Sequence, residues 1–349
     1  MLSASTVLLL VVLPACSCLS AAANTPKERL QQIFRGKADQ QLACPTAKTP
    51  LRAEAATLGI ESRRRLVSDE GKNYPINRVY ADLLPISAAA ESGLTPEDLF
   101  SEVQDVLMTR VQTGLFRSPL TAFLYERGWR DGFARAGFPG IDKEYAEVLE
   151  YFSPAYEGVV VDMSCGSGLM TRRLLRSGKF GRLLALDYSE AMLAETRRRV
   201  LQEELPLDEL TLCRADVAAL PLQTSSVDAM HAGAALHCWP RLDEGLAEIA
   251  RVLTPDGRFF ATTFLKGAYG VPTDAPGQQG GANGFRFFED TAELEGLLVA
   301  AGFPADGIAV RKEGQGCAVI RASMAGKAGL GPEVQGSEFV AGIGEGIDV

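Results

Sequence analysis

From residue 158 onward, short apolar runs alternate with stretches of helical spacing. The runs are Val159–Met163, Leu183–Asp187, Leu210–Arg214, Val227–Ala232 and Arg258–Thr263. The clearest helical stretch places Leu242, Leu246, Ile249, Ala250 and Leu253 on one face. Alternation of this kind predicts a parallel sheet covered by helices on both sides. Two further runs, Ile308–Arg311 and Cys317–Arg321, are split by Gly314-Gln315-Gly316 and predict an antiparallel hairpin. The fold class expected is therefore α/β: a doubly wound, mostly parallel, seven-stranded sheet ending in an antiparallel hairpin.

The first half of the chain follows no such rhythm. Residues 40–90 hold short apolar runs broken by Pro45, Pro50, Pro75 and Pro85, which predicts a small irregular unit. Thr95-Pro96-Glu97-Asp98 starts a helix: Thr95 can cap, Pro96 suits the first turn, and the acids favour the helix dipole. A second helix is expected near 120–135, and Gly137 to Gly140 forms a turn. The division expected is a leader over 1–40, an N-terminal α/irregular region over 41–150, the α/β domain over 151–324, and a disordered Gly-rich tail over 325–349. Residues 266–284, rich in Gly, Pro and Gln, predict a mobile loop.

The leader rests on the apolar run Leu8–Leu13 and the small residues Ala21-Ala22-Ala23, which resemble a secretory-type signal core. That run is too short to span a bilayer, and no other segment qualifies. A basic stretch over 27–37 follows it. A signal core followed by a basic segment fits a bipartite leader into a complex plastid, with plain secretion as the alternative. Net charge is −9, and apart from Arg63–Arg65 and Arg197–Arg199 no basic run occurs, so a nucleic-acid partner is not expected. The seven cysteines form no CxxC pair, which argues against a zinc site and a disulfide framework. Residues 40–90 offer only Cys44 and no His, too few for a four-ligand metal site.

Three acids at strand ends carry the candidate chemistry. Asp162 closes the first α/β strand and is followed by Met163-Ser164-Cys165-Gly166-Ser167-Gly168, a small-residue turn into a helix. In open α/β sheets this is the edge where ligands bind, and glycines let a ligand approach the backbone. Asp162 would face a ligand's ammonium group. Asp187, at the end of the second strand, can take both hydroxyls of a ribose, and it or Ser189 can also cap the next helix. Asp216, after the third, can accept from an adenine amino group. A dinucleotide loop would need a third glycine where Thr171 stands, which disfavours an oxidoreductase.

Taken in order, these elements resemble the class I S-adenosylmethionine-dependent methyltransferases of the "type 11" group. The stretch His231-Ala232-Gly233-Ala234-Ala235-Leu236-His237-Cys238-Trp239-Pro240, with Phe123-Leu124-Tyr125-Glu126-Arg127-Gly128-Trp129, is more specific. It resembles chloroplast methyltransferases of plants and algae. The resemblance implies a Rossmann-like methyltransferase fold, S-adenosylmethionine as cofactor and a small-molecule acceptor. It implies a cofactor site over Asp162, Ser164, Cys165, Gly166, Ser167, Gly168, Asp187, Tyr188, Asp216, Val217 and Ala232. Plant relatives carry a Cys-rich ribbon before the helical segment, of which Cys44-Pro45 is the remnant here. They also carry a longer apolar stretch where this chain has loop 266–284.

The only two histidines, His231 and His237, both fall in the fourth-strand segment, where such enzymes place acceptor-facing groups. His231 lies within the strand and is expected to be a packed core residue. His237 follows the strand end beside Trp239, and is expected to act on the acceptor as general base or orienting group, with an imidazole titrating near neutrality. Tyr125 and Trp129 either close over the ligand or pack in the core. The Asn-Pro-Pro-Tyr type of motif used on amino groups is absent, which disfavours adenine or glutamine N-methylation. The expected activity is O- or C-methylation of a small aromatic or quinone-like metabolite, the alternative being a non-catalytic cofactor-binding interaction protein.

Overall fold

The apolar runs become strands where the hydrophobic pattern places them, and the N-terminal region adds strands that the pattern does not announce. The computed structural model describes residues 41–58, 61–77, 79–85, 137–266 and 286–331. Strands β1 (Arg52–Leu58), β2 (Glu61–Val67), β3 (Asn73–Ile76) and β4 (Ala81–Asp82) come first. Helix α1 (Ile141–Tyr151) leads into β5 (Val159–Met163), α2 (Leu169–Ser177), β6 (Arg182–Asp187) and α3 (Glu190–Gln202). Then follow β7 (Leu210–Arg214), β8 (Val227–Ala232), α4 (Leu242–Val252), β9 (Leu253–Phe264), α5 (Thr291–Ala300), β10 (Ile308–Glu313) and β11 (Cys317–Ser323).

One sheet holds all eleven of these strands in the order β1-β2-β3-β4-β7-β6-β5-β8-β9-β11-β10. Strands β5 to β9 pair parallel, while β11 inserts antiparallel between β9 and β10. The order of β7-β6-β5-β8 reverses at β5, so the crevice at its carboxyl end is a topological switch point. Strand β5 earns its central place by sequence: Val160 and Val161 are fully buried, and each such side chain contributes about 1.5–3 kcal/mol. Strand β9 begins five residues before the predicted run. Its first part, Thr254–Gly257, is polar and sits beside a register shift between Val227 and Ala229, which conceals it from an apolar pattern.

Three expectations need correction. Residues 40–90 are not an irregular unit: β1 to β3 form an antiparallel meander, and β4 joins it parallel to β7. Pro75 and the arginines break up any apolar run, and the cross-strand partners are polar as well; Glu54 stands directly opposite Arg65 and pairs with it at 3.2 Å. The division at residue 150 cuts α1 before its last residue, and that helix belongs with the α/β domain because Val148 and Tyr151 are buried with residues of the main sheet. The start of the predicted tail is packed, since a Cβ on Gly326 would meet Asp306 at 2.9 Å and Gly329 lies against Ser323. The predicted helices near residues 95 and 120–135, the leader and the predicted loop 266–284, except its first residue Lys266, lie outside the described residues.

Candidate active site

The ends of β5, β6, β7 and β8 converge on one turn. After Met163 the chain turns sharply: Ser164 has φ 55° and Gly166 φ 56°. A left-handed serine costs about 1–3 kcal/mol and persists only where its surroundings hold it. Here the indole N–H of Trp239 donates to its hydroxyl at 3.0 Å. The backbone N–H of Cys165 donates to Leu186, and that of Gly166 to the Asp187 carboxylate at 2.9 Å. Two sequence-distant strand ends are thereby joined. Gly168 has a structural reason as well as a ligand-side one, because a Cβ there would meet Thr196 at 2.6 Å.

Asp187 is 9% exposed and also accepts from the Ser189 N–H at 2.7 Å. Burial pushes its carboxyl up to about 6 although those two amides pull it down. Tyr188 follows, with the Arg214 guanidinium over its ring at 5.7 Å. Arg214 is itself held by Asp82 of β4 at 3.1 Å and Glu190 at 2.7 Å, so the N-terminal strands buttress this edge. Asp216 caps a short 3-10 turn through Ala218 and pairs with Arg241 at 2.9 Å. Val217 and Ala232 are buried, Ala232 fully, opposite Ala261.

The two histidines differ from expectation. His237 is buried, its ring edge-on to Phe264 at 4.6 Å, and burial pushes its imidazole down to about 3. It does not titrate near neutrality. Its backbone carbonyl accepts from the Arg286 N–H, which ties the turn to the chain just ahead of α5. His231, expected as plain core, lies between two buried acids: Nδ1 is 2.8 Å from Asp162 and Nε2 is 3.1 Å from Glu144. Asp162 also accepts from the Thr171 hydroxyl. Burial alone would lower the His231 pKa, yet the hydrogen bonds and charges of Asp162 and Glu144 outweigh it and raise it to about 9. Glu144 escaped sequence reading, although an acid on one helical face with Val148 and Tyr151 is a signal in itself. Tyr125 and Trp129 lie outside the described residues. Among the described residues no group of three His, Cys, Asp or Glu side chains could hold a metal, and no helix is long and apolar enough to cross a membrane.

Comparison with known proteins fits this geometry. The methyltransferase domain family matches residues 161–261, the span from β5 to the middle of β9. An uncharacterized chloroplastic methyltransferase of Arabidopsis thaliana is 40% identical over 255 residues, covering 71% of this chain and 67% of that protein. The chain belongs to the S-adenosylmethionine-dependent methyltransferases. A second chloroplastic methyltransferase of Arabidopsis thaliana is 52% identical over 157 residues, covering 44% of each chain. A ubiquinone/menaquinone biosynthesis C-methyltransferase of Acidiphilium cryptum is 31% identical over 178 residues, 45% of this methyltransferase and 70% of its own length. Among solved structures, phosphoethanolamine N-methyltransferase 2 of Haemonchus contortus with S-adenosyl-L-methionine aligns at TM-score 0.47 and 17% identity, over 58% of this chain and 45% of that one. Membership of this family makes S-adenosylmethionine the methyl donor.

Proposed function

We propose that this methyltransferase O- or C-methylates an aromatic or quinone-like metabolite of a plastid. One observation carries the acceptor class. Past the end of β8, His237 is buried against Phe264, with Trp239 two residues on and the Phe287 ring tilted against Phe264 at 6.0 Å. Such a wall suits an apolar ring and offers it no fixed charge. The two chloroplastic relatives support the plastid, and the C-methyltransferase of Acidiphilium cryptum and a demethylmenaquinone methyltransferase of Lactobacillus johnsonii support a quinone-like acceptor.

The residues fit the cofactor on two counts. The Ser167 hydroxyl is fully buried with no hydrogen-bond partner among the described residues. The Asp187 carboxylate is desolvated beyond what the backbone amides of Gly166, Tyr188 and Ser189 offset, and ribose hydroxyls would add donors to it. Residues 162–168, 187–188 and 216–217 would hold the cofactor, with Asp162 toward the ammonium group, Asp187 toward the ribose and Asp216 toward the adenine. When bound, S-adenosylmethionine supplies an electrophilic methyl group on a sulfonium. The chain's own task is alignment and exclusion of water, and alignment alone can remove about 7–11 kcal/mol of barrier. His237, neutral under its apolar cover, orients the acceptor by a hydrogen bond and is too weak a base to drive the chemistry.

Incubation of the protein with methyl-labelled S-adenosylmethionine and a lipophilic plastid extract tests this. The label is expected in a phenolic or quinone-like product; label found only in protein or nucleic acid removes the acceptor class. Asp187→Ala should weaken S-adenosylhomocysteine binding by about 1.5–3 kcal/mol in calorimetry, as for a hydrogen bond to a charged group. Unchanged affinity in that variant takes Asp187 out of the site. A fluorescent fusion of the leader tests the plastid, and its secretion would favour the secretory alternative.

A further inference from the structure

The end of β5 carries a buried chain of polar groups that cofactor binding alone does not require. Glu144 and Asp162 are each 1% exposed and His231 is 2% exposed. Both ring nitrogens of His231 face carboxylate oxygens, at 2.8 Å and 3.1 Å. Ionised carboxylates only accept, so satisfying both requires a hydrogen on each nitrogen. The ring is stacked on Phe260 at 6.2 Å, which fixes its plane. The chain of contacts continues: the Thr262 hydroxyl lies 3.3 Å from Glu144, and accepts from the Ala234 N–H at 2.8 Å. Ala234 stands at the head of the turn that carries His237. Gly233 closes the arrangement, since a Cβ there would meet the Glu144 carboxylate and the His231 ring, each at 2.8 Å.

We propose, resting on the cofactor site assigned above, that His231 is a positioning residue: it holds Asp162 for the cofactor's cationic end and, through Glu144 and Thr262, ties that acid to the turn bearing His237. Three different elements meet at its ring: Asp162 from β5, Glu144 from α1 and Phe260 from β9, and Thr262 of β9 reaches it only through Glu144. Asp187 lies beyond Asp162 and adds its negative charge to the same edge. Two carboxylates stand against one imidazole here, so the cluster as a whole is biased toward negative charge. That charge favours an ammonium or sulfonium nearby and fixes where it sits. A merely structural ion pair would hold the fold together without regard to which carboxylate His231 serves.

Two amide substitutions separate the accounts, because each keeps one donor only. His231→Asn places its amide N–H near the former Nδ1 and serves Asp162; His231→Gln places it near the former Nε2 and serves Glu144. S-adenosylhomocysteine affinity is measured by calorimetry for the full chain and both variants. His231→Asn should bind within about threefold of the parent, and His231→Gln should bind about 10- to 100-fold more weakly, the loss of one hydrogen bond to a charged group at tenfold per about 1.4 kcal/mol. Equal affinity in the two folded variants overturns the proposal. Absence of binding in the parent would instead remove the cofactor site, a different failure. Should either variant not fold, nitrogen-15 spectra of the parent decide: the His231 Nδ1–H signal should shift on saturation with S-adenosylhomocysteine, and a stationary signal overturns the proposal.

Discussion

His231 and His237 sit close together in one segment, both almost wholly buried, and burial leaves them in opposite states. His231 is flanked by two carboxylates and raised to about 9; His237 is packed against Phe264 and lowered to about 3. Desolvation pushes both imidazoles toward the neutral form, and only opposed charges within hydrogen-bond reach reverse it. Two copies of one residue type thus do two jobs: a fixed cation that organises acids, and a neutral ring suited to an apolar acceptor. Position in sequence does not separate them; the neighbours brought by α1 and β9 do.

The largest effect that can break this contrast is on stability. His231→Leu removes the cation between Asp162 and Glu144 and leaves two buried acids without it, which should cost about 3–5 kcal/mol in urea unfolding. His237→Leu replaces a desolvated polar ring by an apolar side chain in an aromatic setting, and should cost under about 1.5 kcal/mol. Equal losses in the two variants would mean the histidines are interchangeable packing.

The pH dependence sharpens the contrast by its sign. The folded pKa of His231 lies above its unfolded value of 6.5, so its stabilisation is complete below about pH 6.5 and fades as pH rises through about 9. At roughly 1.4 kcal/mol per unit that amounts to about 3 kcal/mol. The folded pKa of His237 lies below 6.5, so the unfolded chain takes the proton first. Its contribution, present above about pH 6.5, is lost as pH falls toward about 3. Asp187, raised to about 6, acts in the reverse sense between about pH 4 and 6, so variants rather than the raw curve must be compared. His231→Leu should flatten the alkaline limb alone, and His237→Leu the acid limb alone. A parent curve whose alkaline limb survives His231→Leu breaks the assignment.

Much of this fold is legible because β5 to β9 are apolar runs buried on both sides, with acids at three of their ends. The meander β1 to β3 is not, since its strands set polar residues opposite polar ones, as Glu54 opposite Arg65, and Pro75 and Arg65 interrupt any apolar run. At the site, Asp162, Asp187 and the Gly166-containing turn stand out by local order alone. The burial of His231 is equally readable, but its partner Glu144 lies 87 residues away, across a helix whose packing no local window contains. The state of His237 is hidden for the same reason: Phe264 and Arg286, which enclose and tether it, come from beyond β8. Sequence order shows which residues share the sheet edge. Their charge states depend on contacts made across the sheet.

A smaller effect probes the join between the two histidines. Gly233 stands between them, and a methyl group there must displace Glu144 or the His231 ring, each fixed by its own hydrogen bonds. Overpacking of this kind costs about 1–3 kcal/mol, so Gly233→Ala should lower the urea midpoint and weaken cofactor binding together. A cost under about 0.5 kcal/mol would show that Glu144 moves freely and holds nothing in place.

The smallest expected effect is also the most discriminating. Ala234 adopts φ 50°, a left-handed conformation, with its N–H held by Thr262. Ala234→Gly relieves about 1 kcal/mol of local strain. It also gives the unfolded chain more freedom, which costs about 0.5–1 kcal/mol. The two terms nearly cancel, so stability should stay within about 0.5 kcal/mol of the parent. Function should not stay constant, because the strained residue aims the turn that carries His237, and a glycine lets that turn sample other conformations. Methyl transfer should therefore slow while S-adenosylhomocysteine affinity, set on the Asp162 side, is kept. If the variant gains the full strain energy and methylates at the parent rate, the left-handed alanine is a packing accident and His237 needs no aiming. If rate falls with affinity and stability intact, the conformation of residue 234 is part of how the acceptor side is held against the cofactor side.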